Sequence, residues 1–294
     1  MKPTSQSDYT KRIERVIAAV AASLEQEQAL PSTATLAGIA NFSPFHFMRV
    51  YRALAGESLG ATVQRLRLVR ASHLLARSAA PISEIAGRVG FETPQAFARA
   101  FRQHFGMAPS EARAVYLASD VRAAPREPSQ SQPAIRVDVV TLNPFRVAVL
   151  RNQGAYSKLD EAYGRLYAWM AARSALESIS GIWGVPYHDR RDTPDQDSLF
   201  DCCLATSTAL DVAEGVTPGN LGGGEYLRHL HIGSYARLDE IHDASLRDLF
   251  ARPQWKLREA PILHEYLNDP EGTPEGELKT HIYLPVQRVT EATP

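Results

Sequence analysis

Leu36-Ala37-Gly38-Ile39-Ala40-Asn41-Phe42-Ser43-Pro44-Phe45-His46-Phe47-Met48-Arg49-Val50-Tyr51-Arg52 decides the fold, because the chain writes the same pattern a second time. The second copy reads Ile85-Ala86-Gly87-Arg88-Val89-Gly90-Phe91-Glu92-Thr93-Pro94-Gln95-Ala96-Phe97-Ala98-Arg99-Ala100-Phe101-Arg102. Each copy has the grammar of a helix-turn-helix: a short helix, a turn, and a second amphipathic helix opened by proline. From the prolines onward the offset is 50 residues, and before the turn it is 49, so the second turn is one residue longer. Phe47, Val50, Tyr51 and Leu54 recur at core spacing, as do Phe97, Ala100, Phe101 and Phe105. The opposite faces offer Phe45, Met48, Arg49 and Arg52 in the first copy, and Gln95, Ala96, Arg99 and Arg102 in the second.

Those residue types suit the major groove of duplex DNA. Arginine can fork onto guanine O6 and N7, glutamine can read adenine, and apolar side chains can touch the thymine methyl. Each good bidentate contact contributes about 1–3 kcal/mol of discrimination. An arginine on an isolated helix reads as a solubilising charge; its recurrence at the equivalent place favours base readout by Arg49 and Arg99. Arg52 and Arg102, further along each helix, are expected at phosphates. Ser43 and Thr93 stand at the helix N-termini, where free backbone N–H groups suit a phosphate. Between the copies, residues 58–77 are good helix formers with a leucine stripe. Twenty helical residues span about 30 Å, close to the roughly 34 Å between successive major-groove turns. A rod of that length is expected to hold two reading helices one duplex turn apart. Ahead of the first copy, Tyr9, Ile13, Val16, Ile17, Val20 and Leu24 predict an amphipathic helix over 7–27.

With these residues assembled, the stretch from about 30 to 113 resembles the DNA-binding domain of the AraC/XylS transcriptional regulators. The resemblance is strongest at 85–91, at 97–102, and at Phe105-Gly106-Met107-Ala108-Pro109-Ser110. It implies seven helices and bending of the bound DNA. Phe45 and Met48 stand where that family often has polar residues, which points to apolar readout by the first helix.

Beyond 118 the texture changes. Residues 119–134 contain Pro125, Pro128 and Pro133 and almost no large apolar side chain, the composition of a linker. Strand-like runs follow, and with them a second repeat. Gly154-Ala155-Tyr156-Ser157-Lys158-Leu159-Asp160-Glu161 recurs as Gly233-Ser234-Tyr235-Ala236-Arg237-Leu238-Asp239-Glu240, at an offset of 79. Segments 181–187 and 261–267 match at an offset of 80, and closing strands are expected near 200–205 and 280–286. The predicted chain is therefore multidomain: an all-α domain over 1–118 with two helix-turn-helix units, a linker at 119–134, and an α+β domain over 135–290. The latter is expected to be a duplicated β-α-β-β unit, an antiparallel sheet with helices on one face.

The second half, from about 135 to 289, resembles the GyrI-like effector-binding domain. The resemblance rests on His264-Glu265-Tyr266-Leu267-Asn268-Asp269-Pro270 and Glu277-Leu278-Lys279-Thr280-His281-Ile282-Tyr283-Leu284-Pro285-Val286. It implies a small-molecule effector. Strand alternation puts Glu265 on one face with Leu263 and Leu267, and the repeat puts Trp183, Val185 and Tyr187 on the corresponding face. A desolvated carboxylate among aromatic rings attracts an organic cation, to which each ring adds about 0.5–2 kcal/mol. Glu265, Trp183, Tyr187 and, through the resemblance, Tyr226 are the expected ligand contacts. A glutamate on a solvated sheet face is the plainer alternative.

The whole-chain balance fits a protein with one half on DNA. Net charge is −1, but residues 1–125 hold 15 Lys+Arg against 9 Asp+Glu, and the remainder holds 17 against 24. A basic half joined to an acidic half is expected where one meets a polyanion. Hydrophobic residues make up 44% and no run approaches a membrane span, which argues against a membrane partner. The first residues lack a secretory stretch, and the only cysteines are the adjacent Cys202 and Cys203, so a reducing cytoplasm is expected. Neither a nucleophile elbow, a P-loop nor a dinucleotide fingerprint is present, and no cofactor, metal or catalytic residue is assigned. His229 and His231 share a strand face without an evident third ligand. Asp201-Cys202-Cys203 reads as strand packing with one thiol buried, over a redox sensor. The leading expectation is a ligand-responsive regulator of promoter DNA, with RNA polymerase as a further partner to test. One alternative makes the second half a hydrolase with Glu265 as general base. Another makes it a protein-interaction module for gyrase or polymerase.

Overall fold

The computed structural model of the chain describes residues 5–118, 137–211 and 215–289; the side chains of 5–7, 44–45 and 116–118 are not among those described. The expected linker at 119–134 therefore lies outside the described residues. Seven helices precede the sheet among the described residues: α1 (Ser5–Glu25), α2 (Thr33–Ala40), α3 (Pro44–Ala55), α4 (Leu59–Arg77), α5 (Ile82–Arg88), α6 (Pro94–Phe105) and α7 (Pro109–Ala118). The chain packs as two compact units. One comprises Lys11–Pro44 and the described part of Ala55–Ser131; the other comprises Phe45–Leu54 and the described parts of Met1–Thr10 and Gln132–Pro294. Most of α3 thus belongs with the sheet.

In the helical unit the caps are written in the sequence. Ser32, Ser58 and Thr93 each accept a hydrogen bond from the backbone N–H three residues on, at 3.1, 3.0 and 3.1 Å, satisfying a donor that the helix itself leaves free. The two turns share one geometry. Asn41 (φ 53°) and Gly90 (φ 84°) adopt the left-handed conformation, and the next residue closes back on the preceding helix, Phe42 N to Ala37 O and Phe91 N to Ala86 O, both at 2.9 Å. These are the positions that the 49-residue offset pairs. The core joins Leu68 and Leu75 of α4 to Ile85 and Val89, to Phe97 and Phe101 of α6, and to Ala112 of α7. Phe91, Phe97, Phe101 and Phe105 form a continuous row of rings, with centroids 5.4, 5.5 and 4.6 Å apart. Gly106 (φ 79°) ends α6 and donates to Arg102 O at 2.8 Å, the αL cap for which glycine is favoured.

In the other unit nine strands among the described residues form one antiparallel sheet. They are β1 (Val137–Leu142), β2 (Phe145–Gln153), β3 (Ile179–Pro186), β4 (Leu199–Thr206), β5 (Val216–Leu221), β6 (Gly224–Ile232), β7 (Trp255–Leu257), β8 (Leu263–Tyr266) and β9 (Lys279–Arg288). Their order is β1-β6-β9-β8-β3-β4-β2-β5, with β7 added to β9. The helices α8 (Leu159–Ala171) and α9 (Leu238–Phe250) complete the two copies, β2-α8-β3-β4 and β6-α9-β8-β9. The copies meet where β3 pairs with β8, through Ile182↔Tyr266, Trp183↔Glu265 and Gly184↔His264. β1 leads into the first copy but pairs with β6 of the second, and β5 pairs reciprocally with β2.

Alternation then sorts the side chains. Ala148, Leu150, Phe200, Cys202 and Leu204 pack against Ala162, Leu166, Trp169 and Met170 of α8. Their neighbours along the strands, Val147, Trp183, Val185, Cys203 and Ala205, form a second core on the other face with Tyr226, Leu263 and Tyr283. Cys202 and Cys203 lie on opposite faces and both are buried, one more buried thiol than the sequence suggested. Burial pushes the Cys202 thiol up to about 12 and Cys203 further. Such thiols stay protonated and make poor nucleophiles.

Candidate functional site

The exposed face of α6 is the simpler surface. Thr93 caps it, Pro94 occupies its first turn, and Phe97, Ala100 and Phe101 turn inward. Thr93, Gln95, Ala96, Arg99 and Arg102 are all exposed, so the side chains expected to meet DNA share an open face. Neither arginine makes an ion pair among the described residues. The helix has its apolar stripe fixed by the core, and that leaves its polar stripe free to enter a groove.

The equivalent stripe of α3 is covered. His46, Arg49 and Arg52 correspond through the 50-residue offset to Ala96, Arg99 and Arg102. Arg49 is 2% exposed. It donates from Nη1 to Asp239 Oδ1 at 3.1 Å and to His242 Nδ1, and from Nη2 to the His188 carbonyl at 2.6 Å. Arg52 forks onto Asp192, with Nε 3.2 Å from Oδ2, and lies 3.5 Å from Asp189 Oδ2. His46 Nε2 is 2.7 Å from the Ala260 carbonyl. The sequence placed Arg49 and Arg52 on a free face; the structure instead pairs them with carboxylates of the loop 188–192 and of α9. Helical periodicity identifies the stripe that avoids the helix's own core, but it does not say that another part of the chain covers it. Met48 is half-buried, the Phe45 side chain lies outside the described residues, and Ser43 Oγ is buried without a hydrogen-bond partner among them.

Beneath Arg49 the donors run in one direction. Because Arg49 donates to His242 Nδ1, the proton of that imidazole sits on Nε2, which donates to His264 Nε2 at 2.7 Å. The His264 proton then lies on Nδ1, 3.5 Å from Tyr266 Oη. Both rings must be neutral for this. Burial, and then the charge of Arg49, push His242 down to about 4; burial with His242 beside it pushes His264 well below its usual value. Burial alone would raise the Asp239 carboxyl, but the guanidinium groups of Arg49 and Arg190 outweigh it and hold that group below the carboxylate range. The aspartates are held in turn: Arg190 Nε lies 2.8 Å from Asp239 Oδ2, and Arg191 bridges Asp189 at 2.6 Å and Asp243 at 2.9 Å. Asp239 and His242 also line a small, partly open cavity of about 40 Å³ with Tyr156, Pro186, Arg190, Tyr235, Leu238, His264 and Tyr266.

On the opposite sheet face the structure brings Glu265, Trp183, Tyr187 and Tyr226 into one aromatic region. Glu265 stands directly across from Trp183 in the β3–β8 register. Trp183 contacts Phe145 and Tyr283 at 4.8 and 5.3 Å, and Tyr226 meets Tyr283 edge-on at 6.1 Å. Tyr187 lies at the margin, donating to Asp201 at 2.8 Å beneath Arg151. The carboxylate is not bare, as the sequence suggested. Tyr283 Oη donates to Glu265 Oε2 at 2.6 Å and His281 Nδ1 lies 2.8 Å from the same oxygen. Among the described residues Oε1 has no hydrogen bond. Tyr283 and His281 went unassigned from sequence, yet their alternation on the closing strand was visible; only the β8–β9 register, Glu265↔His281 and Leu263↔Tyr283, reveals their meaning. The aspartates that hold α3 were unassigned for a different reason. Asp239, which meets Arg49, and Asp243, which meets Arg191, fall four apart on a helix and carry no local sign that they are buried, although both are.

The remaining candidates are placed plainly. His229 and His231 are both buried, and His231 Nε2 lies 3.0 Å from the Ser234 carbonyl. Among the described residues no cluster of three or more His, Cys, Asp or Glu side chains is arranged to hold a metal ion. No described helix is long and apolar enough to cross a membrane.

Comparison with known proteins agrees with this layout. Residues 136–287 match the GyrI-like small molecule binding domain, and residues 36–114 match a helix-turn-helix domain. The chain is similar to a probable transcriptional regulator, YgiV, of Escherichia coli K12, with 28% identity over 153 residues, covering 51% of this chain and 95% of that protein. It is also similar to the right origin-binding protein of the same organism, with 25% identity over 229 residues, covering 71% of this chain and 74% of that one. Among solved structures, the cryo-EM structure of an EcmrR–DNA complex in EcmrR-RPo aligns at a TM-score of 0.45 and 11% identity, covering 52% of this chain and 58% of that one.

Proposed function

The chain belongs to the GyrI-like small-molecule-binding family and carries an AraC-type helix-turn-helix domain, and from this we propose that it is a ligand-responsive, DNA-binding transcriptional regulator. The observation that carries the DNA half is the open stripe of α6, where Gln95, Ala96, Arg99 and Arg102 are exposed together on a helix whose other side is locked into a phenylalanine core. Arg99 reads base edges, Arg102 meets phosphate, and Thr93 presents the helix N-terminus to the backbone. α3 is the second reader, through Ser43, Phe45, Met48, Arg49 and Arg52. The two parts are joined through 119–134, and the protein works on promoter DNA in the cytoplasm.

The effector is an organic cation with apolar bulk. Trp183, Tyr187, Tyr226 and Tyr283 supply π-faces, and Glu265 Oε1 supplies the counter-charge. A thermal-shift titration of the full chain against a panel of hydrophobic organic cations tests this. A ligand at a hundredfold excess over Kd stabilises by about 2.7 kcal/mol, and Glu265→Gln should abolish the shift. A shift that survives Glu265→Gln would place the effector away from that carboxylate. We read the chain as a binder and not a catalyst: turnover of a bound compound that stops with Glu265→Gln would support the hydrolase reading instead. RNA polymerase is a proposed partner at the promoter, to be tested by co-sedimentation on DNA.

A further inference from the structure

We propose that the acidic loop 188–192 and α9 form a latch that competes with DNA for the reading face of α3. The inference rests on the DNA-binding reading above and adds a regulated state to it. The two helix-turn-helix copies present the same stripe, residues 46, 49 and 52 in α3 and 96, 99 and 102 in α6. In α6 that stripe is open. In α3 each member is engaged: His46 with the Ala260 carbonyl, Arg49 with Asp239, His242 and the His188 carbonyl, Arg52 with Asp192 and Asp189.

Chemistry makes the two uses exclusive. A guanidinium has five N–H donors in one plane. Those of Arg49 that point along its fork are satisfied by a carboxylate, an imidazole and a carbonyl, with 3% of the side chain exposed. It cannot at the same time fork onto guanine O6 and N7, which need the same donors. Arg52 faces Asp192 as it would face a phosphate: two oxygens, one negative charge, a bidentate approach. The latch therefore imitates the DNA backbone in charge and geometry. It also lies beside the small cavity of about 40 Å³, because Asp239 and His242 line both.

The test uses the full chain and a fluorescein-labelled duplex of the DNA upstream of its gene, read by anisotropy over a salt series. Asp192→Asn removes the charge opposite Arg52 from the loop and leaves α6 untouched. Tightening of about tenfold is expected, because apparent affinity is reduced by the fraction of chain that is competent. The log K against log salt slope should steepen, because salt also loosens the ion pairs that compete with DNA in the wild-type chain. Unchanged affinity and slope, in a protein whose binding is still weakened by Arg102→Ala, would overturn the latch and leave the regulator intact. Absence of binding by every variant would overturn both. A second measurement needs no variant: hydrogen exchange of the wild-type chain should rise at 188–192 and 239–243 when duplex is added at saturation. Unchanged exchange there would also overturn the proposal.

Discussion

Glu265 takes both of its donors on one oxygen, Tyr283 at 2.6 Å and His281 at 2.8 Å, and the other oxygen has no hydrogen bond among the described residues. In the proposed binding mode one oxygen fixes the side chain's orientation and the other meets the cation. Glu265→Gln should therefore weaken a hydrophobic cation at least tenfold, about 1.4 kcal/mol, in isothermal titration. Tyr283→Phe, which loosens the carboxylate without removing its charge, should weaken it less. His242 makes a prediction about pH. Arg49, Asp239, Asp189 and His264 surround it, and burial with Arg49 sets its native value at about 4. The unfolded imidazole binds a proton near 6.5, so between about 6.5 and 4 the unfolded state takes up protons that the native state refuses. Stability should fall as pH is lowered through that window, by about 1.4 kcal/mol per unit for a single such group. Asp239 works in the same sense at more acidic pH, since its native value lies below the unfolded one. Thermal denaturation between pH 7 and 4 measures it; a flat midpoint would contradict the neutral-imidazole chain. Glu265 and its aromatic partners could be named from sequence because strand alternation fixes faces. Tyr283 and His281 could not be joined to them, because register across β8 and β9 depends on the turn between them and not on alternation.

At the scale of elements, the helix-turn-helix repeat was the most legible part of the chain. It is carried by local chemistry: capping hydroxyls at Ser32, Ser58 and Thr93, left-handed turns at Asn41 and Gly90, and apolar residues at helical spacing. These reveal themselves to a reader of sequence because each depends on neighbours a few residues away. Arg99→Ala should abolish discrimination between operator and unrelated duplex, at a loss of about 1–3 kcal/mol on the operator alone. Arg102→Ala should weaken both duplexes alike and flatten the salt slope by about one. Competition anisotropy separates the two, and intact discrimination in Arg99→Ala would show that α6 binds without reading. Two substitutions test the scaffold. Phe97→Ala opens the ring row of α6 and should cost about 3–5 kcal/mol in denaturant unfolding. Gly90→Ala should also destabilise the helical unit, because φ is 84° and a new Cβ would stand 3.0 Å from the Arg67 guanidinium. The environment of α3 was not legible by the same means. Its sequence specifies an amphipathic helix with arginines opposite the core, and this it is; the aspartates that meet those arginines lie some 140 to 190 residues away. Nothing local encodes that pairing.

For the whole molecule, a basic first half and an acidic second half suit a protein that binds DNA with one part only, and the acidic residues that meet α3 lie in the same unit as that helix. The ion pairs Arg49–Asp239 and Arg52–Asp192 are those that the proposed latch would exchange for DNA. The duplicated strand-helix-strand-strand plan was visible as repeats at offsets of 79 and 80. The exchange of β1 and β5 between the copies was not, since each lies next in sequence to a strand with which it does not pair. Methylation protection of the DNA upstream of the gene, with the full chain at saturation, tests directly whether two helices read the duplex, because guanine N7 lies in the major groove. Two clusters of protected guanines are expected on one face, about 10 base pairs apart, the cluster facing α3 appearing at lower protein concentration in Asp192→Asn. Protection of a single groove by both proteins, or of none, would contradict it.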